Sequence, residues 1–111
     1  MTSLTRKLLA EAIGTFLLVF LAVGAAVFGI ASKLGKDDGP LSGGSVLAPA
    51  SGTVGVALAF GLVIVGLAYA FGPVSGTHVN PAVTLAMLLG RRMPAGEAVA
   101  YWAAQFVGAI A

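Results

Sequence analysis

The chain has 111 residues, of which 59% are hydrophobic and 9% charged, with a net charge of +2 and a mean hydropathy of +1.02. A soluble domain carries about 25% charged residues, so this composition cannot cover a water-facing surface and excludes an ordinary soluble enzyme, a nucleic-acid binder and a disordered chain. Cysteine is absent and His78 is the only histidine, which removes disulfides, thiolate chemistry and a multi-histidine metal site, and no metal or cofactor is expected.

The first apolar run is residues 8–31, broken by charge only at Glu11. At 1.5 Å per residue it is about 36 Å long, enough to cross a bilayer with some tilt. Arg6 and Lys7 before it resemble the start of a signal peptide. The run is longer than the roughly 7–15 residues of a signal's apolar core, and further runs follow it. Residues 32–52 are rich in Ser, Gly, Pro and charge and read as a loop. Residues 53–71 carry no charge and read as a second span.

Residues 72–90 form a different kind of unit. The stretch Gly72-Pro73-Val74-Ser75-Gly76 is a break. Asn80 precedes Pro81, the pairing of a preferred N-cap with the residue preferred at the first helical position. Gly90, Arg91 and Arg92 predict a helix end, with cations at the negative end of its dipole. The helix between is about 15 Å long, half a hydrocarbon core. A half-length helix between two spans implies a re-entrant segment, tolerated at membrane depth only where protein buries it or a wet cavity runs beside it. Residues 95–111 begin a third span, within which the chain stops.

Basic residues set an orientation. With the N-terminus in the cytoplasm, Arg6, Lys7, Arg91 and Arg92 lie inside, while Lys33 and Lys36 lie outside beside Asp37 and Asp38. The half-helix then directs its positive N-terminus toward the membrane middle. Small residues at four-residue spacing, Ala100, Ala104 and Gly108, and again Gly55 and Ala59, predict close helix contacts. Gly14, Gly61 and Gly66 form a weaker set.

Ser75-Gly76-Thr77-His78-Val79-Asn80-Pro81-Ala82-Val83-Thr84 resembles the first signature of the aquaporin, or major intrinsic protein, family. Ala10-Glu11-Ala12-Ile13-Gly14-Thr15 is similar to that family's first-helix motif, and the two lie 69 residues apart from Glu11 to Asn80. The resemblance covers nearly the whole chain but only the first half of a family member. It implies an all-α membrane protein: an aquaporin-like bundle with a re-entrant half-helix, here the first inverted repeat only, ending in the third span. The implied activity is passive water conduction in the cell membrane, without enzymatic chemistry, by a protein that is a homotetramer at full length.

The resemblance also implies roles. Asn80 caps the half-helix through its side-chain oxygen and keeps its amide donors for a passing water, next to Pro81 and Ala82. Carbonyls at Gly76, Thr77 and His78 line the cytoplasmic half of the water path. Thr77 departs from the Gly or Ala frequent at its place, and Pro73 is less usual. Glu11, ionisable inside a span, braces the re-entrant loop. Gln105 faces the bundle interior. Phe60 belongs to the constriction that admits water and excludes larger polyols. The alternatives are a glycerol or small neutral solute facilitator of the same family, and a non-conducting membrane adaptor or half-channel.

Overall fold

The computed structural model describes residues 2–27 and 47–111. The end of the first apolar run, most of the 32–52 loop, and Lys33, Lys36, Asp37 and Asp38 lie outside the described residues. Every regular element among the described residues is helical.

Helix α1 spans Ser3–Leu17 and is capped by Thr2, whose hydroxyl accepts the Thr5 amide at 3.2 Å. It runs on through a π-helical stretch, Leu18–Val23, and one more α turn, so Ser3–Val27 is a single helix of 25 residues. Helix α2 spans Leu47–Ser75. It starts before the predicted residue 53, and it does not stop at 71. Pro73 lies inside its last turn. A proline there removes one amide donor, a small loss where the helix is about to end. The Gly76 amide still reaches the Gly72 carbonyl at 2.9 Å, and the left-handed Gly76, φ +84°, turns the chain away. Two helices, Ser3–Val27 and Val54–Ser75, are long and apolar enough to cross a membrane.

Helix α3 spans Pro81–Leu89, with Pro81 at its first position. Nine residues give about 14 Å. Gly90 follows it with φ −73°. The left-handed residue that closes the end is Arg91, φ +54°, where the sequence suggests Gly90. The amides of Arg91 and Arg92 bond back to the carbonyls of Leu88 and Met87 at 3.0 and 2.9 Å, covering two orphan acceptors. Helix α4 spans Ala95–Ile110, with Glu97 in its first turn near the positive dipole end.

The core lies where α1 meets α4. Lys7 bonds Glu97, Glu11 bonds Gln105, and Ala12 touches the Gly108 position. Residue numbers rise together along these pairs, so the two helices run the same way. Against α2 they fall: Glu11 meets Ser75 and Gly14 meets Phe71, so α1 and α2 are antiparallel. Buried Ala98, Tyr101, Gln105 and Gly108 make one face of α4. A methyl at Gly108 would overlap the Ala12 backbone, so only glycine permits this approach. Gly14 has the same importance: a Cβ there would lie 2.7 Å from Val79 Cγ1. Gly55, Gly61 and Gly66 meet no atom within 4 Å among the described residues. Among the described residues none of these three glycines of α2 admits a close neighbour, whereas the weaker-looking Gly14 does.

Candidate functional site

The loop of residues 76–80, between α2 and α3, is held by α1 and α4. Three of its residues have left-handed backbone: Gly76 at φ +84°, Thr77 at +51° and Val79 at +41°. For β-branched Thr77 and Val79 this conformation is strained and persists only if the surroundings enforce it.

Glu11 supplies the enforcement. It is fully buried, and its carboxylate accepts four hydrogen bonds. Oε1 takes the Ser75 hydroxyl at 2.7 Å and the His78 amide at 2.9 Å. Oε2 takes the Val79 amide at 2.7 Å and Gln105 Nε2 at 2.8 Å. A carboxylate is acceptor-only with about four lone-pair sites, so it matches four converging donors. Such satisfaction is what makes a buried acid tolerable.

A second shell of bonds fixes the donors. Gln105 Nε2 also donates to Thr84 Oγ1 at 2.9 Å. Thr84 Oγ1 lies 3.0 Å from His78 Nδ1. The Tyr101 hydroxyl donates to the Ser75 carbonyl at 2.9 Å, and its ring sits 5.1 Å from the His78 ring. Thr77 donates its hydroxyl to the Leu67 carbonyl at 3.2 Å, and its amide reaches Ser75 Oγ at 3.1 Å. Asn80, in extended backbone, accepts the Ala82 amide through Oδ1 at 2.8 Å. Trp102 Nε1 donates to the Pro81 carbonyl at 3.1 Å.

The directions matter chemically. In a planar trans peptide the N–H and C=O point oppositely. With the His78 and Val79 amides turned onto Glu11, the carbonyls of Thr77 and His78 point away from it. Among the described residues, no hydrogen bond reaches the carbonyls of Gly76, Thr77 or His78. Asn80, Pro81 and Ala82 are exposed on the neighbouring surface, while His78 is buried.

Glu11, Gln105, Gly76, Thr77, His78, Asn80, Pro81 and Ala82 are therefore brought together. Phe60 is not. It is half-buried on α2, 15 residues before Ser75, about 22 Å along the helix. Ser75, Thr84, Tyr101 and Trp102 were given no role from the sequence. Ser75 and Thr84 sit inside the ten-residue motif, and Tyr101 precedes Gln105 by one turn; that shared face was the available signal.

The whole chain, residues 1–111, matches the family described as major intrinsic protein. The chain belongs to that family. Its relatives include glycerol uptake facilitator protein-like 6 of Lactiplantibacillus plantarum, 47% identical over 95% of this chain and 39% of that protein. Aquaporin Z of Brucella melitensis is 44% identical over 95% of this chain and 40% of its own length. Aquaporin AqpM of Methanothermobacter marburgensis is 42% identical over 98% and 45%. The chain thus spans about two-fifths of the length of the major intrinsic proteins it matches.

Proposed function

We propose that this chain forms the first repeat of a passive water channel in the cell membrane, with its N-terminus in the cytoplasm. The observation that carries the reading is the Glu11 clamp. By drawing the His78 and Val79 amides inward, it leaves a row of unoccupied carbonyls on the other side of the loop. Such a row replaces the hydration that a permeant loses in a narrow path.

Depth agrees with this. Glu11 and Gln105 lie eight and ten residues from the starts of their helices, about 12–15 Å in, close to half a hydrocarbon core. Helix α3, too short to span, then starts near mid-depth as a re-entrant half-helix. Asn80 has Oδ1 committed to its cap and keeps its amide donors for water. The positive end of α3 opposes cations there. Gly76, Thr77 and His78 contribute carbonyls, Pro81 and Ala82 complete the turn, and Glu11 and Gln105 act as braces. Phe60 contributes to a constriction at another height. The working protein is a homotetramer.

The second reading is a glycerol or small neutral solute facilitator. The relative named a glycerol uptake facilitator-like protein, at 47% identity, favours it. Stopped-flow osmotic shrinkage of liposomes carrying the full-length protein, with glycerol uptake measured beside it, tests both. Water permeability above that of empty liposomes with slow glycerol entry is expected. Fast glycerol entry selects the second reading, and permeability at the lipid background removes both.

A further inference from the structure

Thr84 is fully buried beside the loop, and its hydroxyl meets three groups. Gln105 Nε2 lies 2.9 Å away, His78 Nδ1 3.0 Å and the Asn80 carbonyl 3.4 Å. A hydroxyl has one hydrogen to give, so the directions of these contacts fix one another. Glu11 sets the first. Its carboxylate oxygens only accept, so the Gln105 amide presents its nitrogen, not its oxygen, at 2.8 Å from Oε2. The second hydrogen of that NH2 goes to Thr84 Oγ1. Thr84 therefore accepts from Gln105, and its own hydrogen has two acceptors in view. The Asn80 carbonyl, at 3.4 Å, lies beyond the usual range of a hydroxyl bond, about 2.5–3.0 Å. It also already takes the Thr84 amide at 3.2 Å. His78 Nδ1 is the nearer acceptor at 3.0 Å.

We propose that Thr84 is a positioning residue: its hydroxyl donates to Nδ1 and holds the neutral His78 ring as the Nε2–H tautomer. A neutral imidazole carries one hydrogen, and the nitrogen that accepts cannot also carry it. Tyr101 steadies the ring from the side, with centroids 5.1 Å apart at a 58° tilt. The Nε2 edge turns toward Gly76: a Cβ there would lie 3.5 Å from Nε2 and 3.6 Å from Cδ2. Nε2 has no hydrogen-bond partner among the described residues. The consequence for transport rests on the channel reading above, in which Gly76 lines the water path. The carbonyls of Gly76, Thr77 and His78 offer only acceptors. His78 adds a donor beside them, so one passing water can donate to a carbonyl and accept from the ring. An Nε2–H has no lone pair for an incoming proton, and the nitrogen that has one is turned inward onto Thr84. The ring thus orients water without relaying its protons.

The experiment uses the full-length protein in liposomes, with isotope-labelled histidine. Water permeability is read first; a value at the lipid background ends the channel reading, and the ring's part in transport with it. Solid-state NMR on the same liposomes, at alkaline pH, then reads the ring, and His78→Asn identifies its signals by their loss. A protonated Nε2 and an unprotonated, hydrogen-bonded Nδ1 are expected in the native protein. Thr84→Val keeps the shape without the hydroxyl and should shift the Nδ1 signal to that of a nitrogen without a donor. Thr84→Ser should restore the native signal. Proton flux relative to water flux should rise in Thr84→Val, whose ring is free to turn its bare nitrogen to the path. A hydrogen on Nδ1 in the native protein overturns the proposal, and so does a Thr84→Val spectrum identical to the native one. The native spectrum decides the tautomer by itself if Thr84→Val does not fold. An unchanged flux ratio beside a shifted Nδ1 signal would overturn the ring's role in transport.

Discussion

At the scale of single residues, the burial of Glu11 is understandable because every group around its carboxylate is a donor. Glu11→Gln is nearly isosteric but turns one acceptor into an NH2 that must face a backbone N–H. The expected cost is about 2–4 kcal/mol, from a lost charged acceptor and a donor left unsatisfied. A lower Tm of the purified protein and reduced water flux check it. If Asn80 lines a pore as proposed, Asn80→Asp separates that role from capping. Its carboxylate still accepts the Ala82 amide, so the fold survives, but the free donors are replaced by negative charge. Cation leakage in liposome flux assays is expected, with an unchanged Tm. Phe60→Ala should widen a constriction, raising glycerol entry relative to water. Unchanged selectivity would show that Phe60 lies off the path, a real test because it stands far from the loop along α2.

At the scale of elements, close approach decides stability. Gly108→Ala would push α1 and α4 apart at Ala12. Overpacking of this kind costs about 1–3 kcal/mol, visible as a fall in Tm, while Gly55→Ala, inside α2 and meeting no atom within 4 Å among the described residues, should not lower Tm and should raise it slightly, since alanine favours a helix interior over glycine. The difference also shows what the sequence reveals. Asn80-Pro81 is a local signal, and the cap and first helical turn follow from two neighbouring residues. The two long apolar helices follow from composition. Small-residue spacing carries no partner's address, so it singled out Gly55 as readily as Gly108. The left-handed Thr77, Val79 and Arg91 were illegible for a related reason. Nothing in their side chains favours that backbone; partners elsewhere in the chain impose it on the loop pair.

At the scale of the whole molecule, α1 is the hub of the described helices: it packs against both α4 and α2, and α3 packs against α4. Helix α1 and helix α4 share the buried hydrogen bonds and the glycine contact, tied at their starts by Lys7 and Glu97. That ion pair is partly exposed and contributes no more than about 1 kcal/mol, so the buried network, not the surface pair, holds them. Helix α2 leaves Leu58, Leu62, Val65 and Tyr69 exposed. Such a surface is stable only against hydrocarbon or further protein. Separations of 64 to 94 residues between Glu11 and its side-chain partners explain why the site as an assembly was not readable: a motif names the participants, and only folding states who meets whom.

The irregular loop has one consequence for kinetics. Amides in connecting segments usually trade their hydrogens with solvent quickly, because little must open to release them. The His78 and Val79 amides end on a carboxylate that α1 brings and α4 locks. Freeing them requires the helix pair to separate, so their exchange should be as slow as that of mid-helix amides in α4. Hydrogen–deuterium exchange on the full-length protein reads this directly. Fast exchange at both positions would mean that the loop breathes independently of the bundle. Slow exchange would mark a stretch without regular structure as part of the last unit of the protein to open.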